Sequence, residues 1–176
     1  MNFPPTEIQQ LVEEIAAILR SKNQTLAISE AACGGLLSAY LVSVPGASDF
    51  YIGGKLVYSV RQRLRLSGWS KEDIGNYVGP STQVALKLAR TTKYDLGSTY
   101  VLSETGFAGP TTDLHLQTNQ NSDAGVGTVY FGVSGPKGEH TLSCETGISE
   151  RSKNMTEFAR LGLKFLLETL KEETSD

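Results

Sequence analysis

The sequence is poor in the residues that mark disulfide-rich and metal-binding proteins. Its 176 residues include two cysteines, Cys33 and Cys144, and two histidines, His115 and His140. Two cysteines form at most one bridge, so the fold cannot depend on a disulfide framework. The histidines are not spaced with a cysteine or aspartate as zinc ligands are. We therefore expect no metal and no cofactor.

Long charged runs and long apolar runs are missing as well. The chain has 16 basic and 19 acidic residues, a formal charge of -3, and no run of Lys and Arg long enough to follow a phosphate backbone. No segment approaches the roughly 18 uninterrupted apolar residues of a membrane span. The first ten residues lack the basic and apolar parts of a secretory signal. These absences predict a cytoplasmic protein without nucleic-acid or membrane partners.

The length predicts one domain over residues 1–176, because domains commonly run to about 100–200 residues. Apolar periodicity and turn formers predict helices and strands in mixed order. The predicted helices are 6–21, opened by a Thr6/Gln9 capping box, 36–44, 60–66, one capped by Ser81, and 153–172. The predicted strands are 25–29, 54–59, 100–104, 127–133 and 139–145, the last two forming an antiparallel hairpin.

This order predicts an α/β fold, a three-layer αβα domain with a mixed sheet. The arginines at 61, 63 and 65 predict that the helix 60–66 is mostly solvated. The polar stretch 111–124 has no periodicity and is predicted to be a loop. Loops of this length are usually lids or disordered segments, and the sequence leaves both interpretations open.

Two glycine-containing turns, 29–35 and 103–110, follow predicted strands. Ligands of α/β sheets bind at the carboxyl ends of the strands, where glycine lets backbone N–H groups approach an anion. We predict that the two turns lie side by side at one sheet edge and together form a pocket. The alternative is that the glycines serve only tight turns and close packing.

Five motifs occur in a fixed order between about residues 8 and 170. They are Glu30 with Gly34-Gly35, Pro45-Gly46-Ala47-Ser48, Gly53-Gly54 with Tyr58, Thr105-Gly106-Phe107-Ala108-Gly109-Pro110, and Gly127-Thr128-Val129-Tyr130. Each motif alone is weak, but the ordered set resembles the C-terminal domain of the CinA (competence/damage-inducible) family, the nicotinamide-mononucleotide amidohydrolase fold. An arginine that opens the last helix in that family corresponds to Arg151.

The resemblance implies hydrolysis of the carboxamide of nicotinamide mononucleotide to nicotinate mononucleotide and ammonia. The position of the family's nucleophilic serine is Ala31 here, and that of its activating lysine is Arg63. A methyl group cannot attack, and a guanidinium stays protonated and cannot act as a base. The chain could therefore be an altered amidase, a catalytically inactive protein that binds a nucleotide or metabolite, or a purely structural oligomer. We expect a homo-oligomer and a small nucleotide-like ligand.

Five other residues are considered as candidates for catalysis. Cys33, at the expected start of a helix, is either a nucleophile with a lowered pKa or a buried packing residue. Glu30 and Glu104 follow equivalent strand ends and form either an acid and base pair or separate caps of the turns. Tyr58 either orients a ligand or packs with its hydroxyl hydrogen-bonded. Ser29 could replace the missing nucleophile, since on an extended strand it points to the same side as Ala31, but it would be displaced by roughly 6–7 Å.

The remaining assignments concern ligand binding rather than chemistry, and they come from the two turns and from the motifs that carry the resemblance. The residues assigned to ligand binding are Gly34, Gly35, Ser48, Thr105, Gly106, Ala108, Gly109 and Arg151.

Overall fold

A five-stranded mixed sheet forms the centre of the domain. The computed structural model describes residues 2–112 and 125–175. The strands are β1 (Leu26–Glu30), β2 (Tyr51–Leu56), β3 (Tyr100–Gly106), β4 (Thr128–Gly135) and β5 (Gly138–Glu145), in the spatial order β2-β1-β3-β4-β5. The first three are parallel, and β4 and β5 are antiparallel to their neighbours. The predicted hairpin and mixed sheet are confirmed.

Helices cover both faces of this sheet. They are α1 (Thr6–Ser21), α2 (Leu36–Val42), α3 (Val60–Ser67), α4 (Lys71–Gly75), α5 (Thr82–Leu96) and α6 (Arg151–Ser175), and a short 3₁₀ helix (Ala47–Asp49) precedes β2. Helices α1, α2 and α6 pack against one another on one face, and α5 packs against β1, β3 and β4 on the other. The predicted three-layer αβα architecture is confirmed.

The pleat of β1 shows how one strand serves both layers. Successive strand residues point to opposite faces, so Ile28 joins the large core under α1, α2 and α6, while Ala27 joins Ala89 of α5 and Val101 of β3. Every residue of β1 is buried. A strand covered on both faces is mostly apolar, and the polar residues of β1 stand only at its carboxyl end.

Several element boundaries and caps differ from the predictions. Strand β2 begins at Tyr51, three residues before the predicted start, and ends at Leu56. The capping box at the start of α1 is wrong, because Pro5 occupies the N-cap and the Gln9 side chain donates to the Pro4 carbonyl at 3.0 Å. Helix α4 was not predicted, although Ser70 and Asp73 form its capping box.

Two further sequence predictions bear on the site. The helix 60–66 is not uniformly solvated, since the side chain of Arg63 is only 3% exposed. Of the predicted loop 111–124, residues 113–124, with His115, lie outside the described residues. No helix in the described ranges is long and apolar enough to cross a membrane.

Candidate functional site

The turns 29–35 and 103–110 lie side by side, as predicted. Strands β1 and β3 are adjacent and parallel, with Ser29 in register with Ser103, so both strands end at the same edge. The backbone of the first turn is hydrogen-bonded to a side chain of the second: Glu104 accepts bonds from the N–H groups of residues 31–33. The two turns therefore form one structural unit at the carboxyl edge of the sheet.

Glu104 holds the first turn in place. Its carboxylate accepts from the N–H groups of Ala31 at 3.0 Å, Ala32 at 3.1 Å and Cys33 at 3.0 Å. The side chain is fully buried, and this burial raises the pKa of Glu104, although the N–H groups of Cys33 and Ala31 act in the opposite direction. The N–H groups of this turn thus point to a protein carboxylate and not to open space.

Glu30 has the same role at the start of α2. Its carboxylate accepts from the N–H groups of Gly35 at 3.1 Å, Leu37 at 2.9 Å and Ser38 at 3.0 Å, and from the Ser38 hydroxyl at 2.6 Å. These N–H groups have no acceptor inside the helix, and a negative charge at a helix N-terminus is favourable. Of the two interpretations of Glu30 and Glu104, the geometry supports turn capping.

Cys33 is buried between these carboxylates. Its side chain is 0% exposed, and its thiol lies 3.8 Å from the Met155 carbonyl. Burial raises the pKa of Cys33 well above its ordinary value, and the charges of Glu104 and Glu30 raise it further. The pKa lowering expected from the helix N-terminus is therefore overridden, which supports the packing interpretation.

The glycines of the first turn serve backbone geometry. Gly34 has φ of +65° and Gly35 of +104°, conformations that other residues rarely adopt. Their N–H groups donate to the Ala31 carbonyl and to Glu30. The predicted anion contacts by Gly34 and Gly35 have no support here, because both donors are already used inside the turn.

A pocket of about 400 Å³ opens beside the two turns. Its walls come from the segments that follow β1, β2 and β3 and from the start of α6. The lining residues are Ala31, Ala32, Tyr58, Ser59, Val60, Arg63, Tyr77, Pro80, Gly106, Phe107, Ala108, Gly109, Thr111 and Arg151. No lining residue among those described is acidic, and two are arginines.

Arg63 is the most constrained charged group in this pocket. Its Nε donates to the Val57 carbonyl at 3.1 Å, Nη1 to the Tyr77 hydroxyl at 2.6 Å and Nη2 to the Thr105 hydroxyl at 3.2 Å. Val57 follows β2 and Thr105 is the last but one residue of β3, so the guanidinium connects the two strands on either side of β1. Ala31, directly after β1, lines the same pocket.

Arg151 connects the opening of α6 to the pocket. It donates to the Gly109 carbonyl and to the Tyr58 hydroxyl, both at 2.6 Å. Buried Asn154, one turn later, donates to the Ala108 carbonyl at 2.9 Å and fixes the same turn. Asn154 is not among the predicted site residues, because a single asparagine inside a helix gives no signal of its long-range partners.

The predicted site residues fall into three groups. Those that line the pocket are Tyr58, Gly106, Ala108, Gly109 and Arg151. Cys33, Glu30, Glu104, Gly34, Gly35 and Thr105 stand behind the lining and shape it. Ser48 lies elsewhere, because its 3₁₀ helix leads into the amino end of β2 at the opposite edge of the sheet. Its predicted contact with the ligand has no support in this geometry.

The chain is similar to known proteins in sequence and in structure. The family model described as the CinA C-terminal domain matches residues 8–170. The chain belongs to the CinA C-terminal domain family. Among curated relatives, a CinA-like protein of Nostoc punctiforme is 34% identical over 141 residues, covering 80% of this chain and 32% of the relative. A CinA-like protein of Desulfosudis oleivorans is 30% identical over 156 residues, covering 89% and 36%. The chain thus spans about a third of the length of these relatives.

Solved structures of the CinA superfamily share the fold. The competence/damage inducible protein CihA from Agrobacterium tumefaciens aligns with a TM-score of 0.85 and 22% identity, covering 97% of this chain and 99% of that one. A CinA superfamily protein from Klebsiella pneumoniae aligns with a TM-score of 0.83 and 18% identity, covering 94% and 98%. At these identities the likeness establishes the fold. The family and the fold predicted from the five motifs are confirmed.

Proposed function

We propose that this CinA-family domain binds a small nucleotide-like ligand in the pocket at the carboxyl edge of its sheet and hydrolyses nicotinamide mononucleotide very slowly. The observation that carries the proposal is that Ala31 and Arg63 line one pocket. The family resemblance assigns a nucleophile and a base to these two positions. Here they carry a methyl group and a hydrogen-bonded guanidinium.

Amide hydrolysis at this site needs a nucleophile and a group that takes its proton. The Ala31 methyl group supplies neither, and Arg63 remains protonated because the pKa of a guanidinium is above about 12. Loss of a catalytic serine in a serine hydrolase lowers turnover on the order of 10⁶-fold. From typical turnover of about 1–10 s⁻¹, that loss would leave about 10⁻⁶ to 10⁻⁵ s⁻¹.

The alternative is an amidase that uses Cys33 or a water molecule activated by a glutamate. The structure gives this alternative little support, since the Cys33 thiol is buried and both glutamates are occupied by N–H donors. A purely structural oligomer would have no need of this pocket. Homo-oligomer formation and cytoplasmic location remain predictions.

An ammonia-release assay with nicotinamide mononucleotide tests the proposal. The wild type should show turnover at least about 10⁴-fold below ordinary enzymes, and the double variant Ala31→Ser with Arg63→Lys should be faster. Ala32→Ser, which adds the same hydroxyl one residue later in the lining, is the matched control and should stay inactive. Wild-type turnover on the order of 1 s⁻¹ would contradict the proposal.

Binding must be measured independently of turnover. A ligand that binds only the folded state stabilises it by about 2.7 kcal/mol at 100 times its dissociation constant. Thermal-shift measurements with pyridine nucleotides should therefore show a concentration-dependent rise in Tm. No rise with any of them would contradict ligand binding.

A further inference from the structure

The geometry points to Arg63 as the anchor for an oxyanion, a carboxylate or a phosphate, so that the pocket prefers ligands that place a negative charge at this point over neutral amides. This inference rests on the proposed function, because it specifies the chemistry of the ligand in the same pocket. It concerns the one position among the described residues where a buried cation lines the cavity.

The first observation is that the positive charge of Arg63 has no acidic partner among the described residues. Arg63 is 3% exposed, and among the described residues no Asp or Glu oxygen lies within 4.0 Å of its guanidinium. The described lining of the pocket holds no carboxylate either. A buried charge is unfavourable unless it is paired, so a bound anion would supply a partner that the described residues do not.

The second observation is that the guanidinium is held in a fixed orientation with donors to spare. A guanidinium has five N–H groups. Three are donated to Val57, Tyr77 and Thr105, so two have no acceptor among the described residues. The cation also lies over the rings of Trp69 and Tyr77, at 5.9 Å and 5.1 Å from their centroids. A guanidinium fixed in this way forms directed hydrogen bonds to a carboxylate or phosphate with little further ordering.

The third observation is the small size of several residues that line the same pocket as Arg63. Ala31, Gly106 and Ala108 carry small side chains or none, and all three line the pocket. These small residues leave room for an oxyanion in the pocket that Arg63 lines, and no described lining residue brings a negative charge. Arg151 lines the pocket as well, but it is exposed and anchored to Gly109 and Tyr58, so it adds positive potential in a more hydrated place.

Calorimetric titration of the full chain with a matched pair of ligands tests the inference. Nicotinate mononucleotide and nicotinamide mononucleotide carry the same phosphate and differ only in carboxylate against carboxamide. If Arg63 binds the carboxylate, the wild type should bind nicotinate mononucleotide at least about tenfold more tightly, as expected of a charged hydrogen bond. If Arg63 binds the phosphate, the two nucleotides should bind alike and both should bind more weakly to Arg63→Gln. Ribose 5-phosphate and nicotinate, titrated separately, show whether the phosphate or the carboxylate binds at Arg63. Arg63→Gln should abolish the tighter binding of whichever oxyanion Arg63 recognises.

Arg61→Gln is the matched control, because Arg61 is an exposed arginine on the same helix; it should keep the wild-type preference. Tyr77→Phe keeps the ring but removes one hydroxyl that orients Arg63, so it should weaken the same binding. This variant tests the inference in case Arg63→Gln does not fold. If the nucleotides bind but no oxyanion depends on Arg63, the inference is wrong while the proposed function stands. If no ligand binds to the wild type, both are wrong.

Discussion

Replacing Glu104 with glutamine should destabilise the domain, because this carboxylate satisfies three buried N–H groups. One oxygen accepts from Ala31 and Cys33 and the other from Ala32. Glutamine keeps the volume but replaces one acceptor oxygen by a donor, so at least one N–H group loses its acceptor. A buried unsatisfied donor costs about 1–3 kcal/mol, and the remaining bonds lose their charge assistance, while removal of a buried charge offsets part of this loss. We expect a net loss of about 2 kcal/mol.

Urea unfolding at neutral pH, together with calorimetric Tm, measures this loss. For a domain of this size, 2 kcal/mol corresponds to a fall in Tm of about 4–8 °C. Glu13→Gln is the control: Glu13 is exposed on α1, and its variant should stay within about 0.5 kcal/mol of wild type. A Glu104→Gln protein as stable as wild type, or more stable, would refute the assignment of Glu104 as the residue that holds the turn.

Two further predictions concern packing. Iodoacetamide should label Cys33 more slowly than half-buried Cys144 at every pH from 7 to 9, because burial raises the pKa of Cys33; rapid Cys33 labelling that a nucleotide suppresses would restore it as a candidate nucleophile. Gly54→Ala should lower the free energy of unfolding by about 1–3 kcal/mol in urea melts, because a Cβ there would lie 2.4 Å from the Ile28 carbonyl oxygen. Gly75→Ala, whose Cβ meets nothing within 4 Å, should be neutral or stabilising.

The features predictable from the sequence are those that local patterns determine. The order of strands and helices follows from apolar periodicity and turn residues, and Ser81 caps α5 as predicted. The start of β2 was misplaced because the exposed and half-buried residues of this edge strand give no clear alternation of apolar and polar side chains. Its end was placed too late because Val57 and Tyr58 extend the apolar run beyond Leu56. Edge position is a tertiary property that the local pattern does not encode.

The candidate site was predictable in place but not in the role of each residue. The motifs and the strand ends indicated the right turns. The choice between catalysis and capping for Glu30 and Glu104, however, depended on N–H groups whose directions only the folded turn determines. Arg63 was expected on a solvated helix because the sequence places arginines at 61, 63 and 65 in this short segment. Its burial arises from partners far along the chain, such as Thr105, 42 residues away.

The central claim, a pocket that binds a pyridine nucleotide but hydrolyses it very slowly, is tested most directly by proton NMR of nicotinamide mononucleotide mixed with the wild-type protein. Saturation transfer from the protein should reach the pyridine protons, and the same spectra should show no signals of nicotinate mononucleotide after many minutes. Formation of nicotinate mononucleotide with a turnover on the order of 1 s⁻¹ would contradict the account. So would an absence of saturation transfer at millimolar ligand.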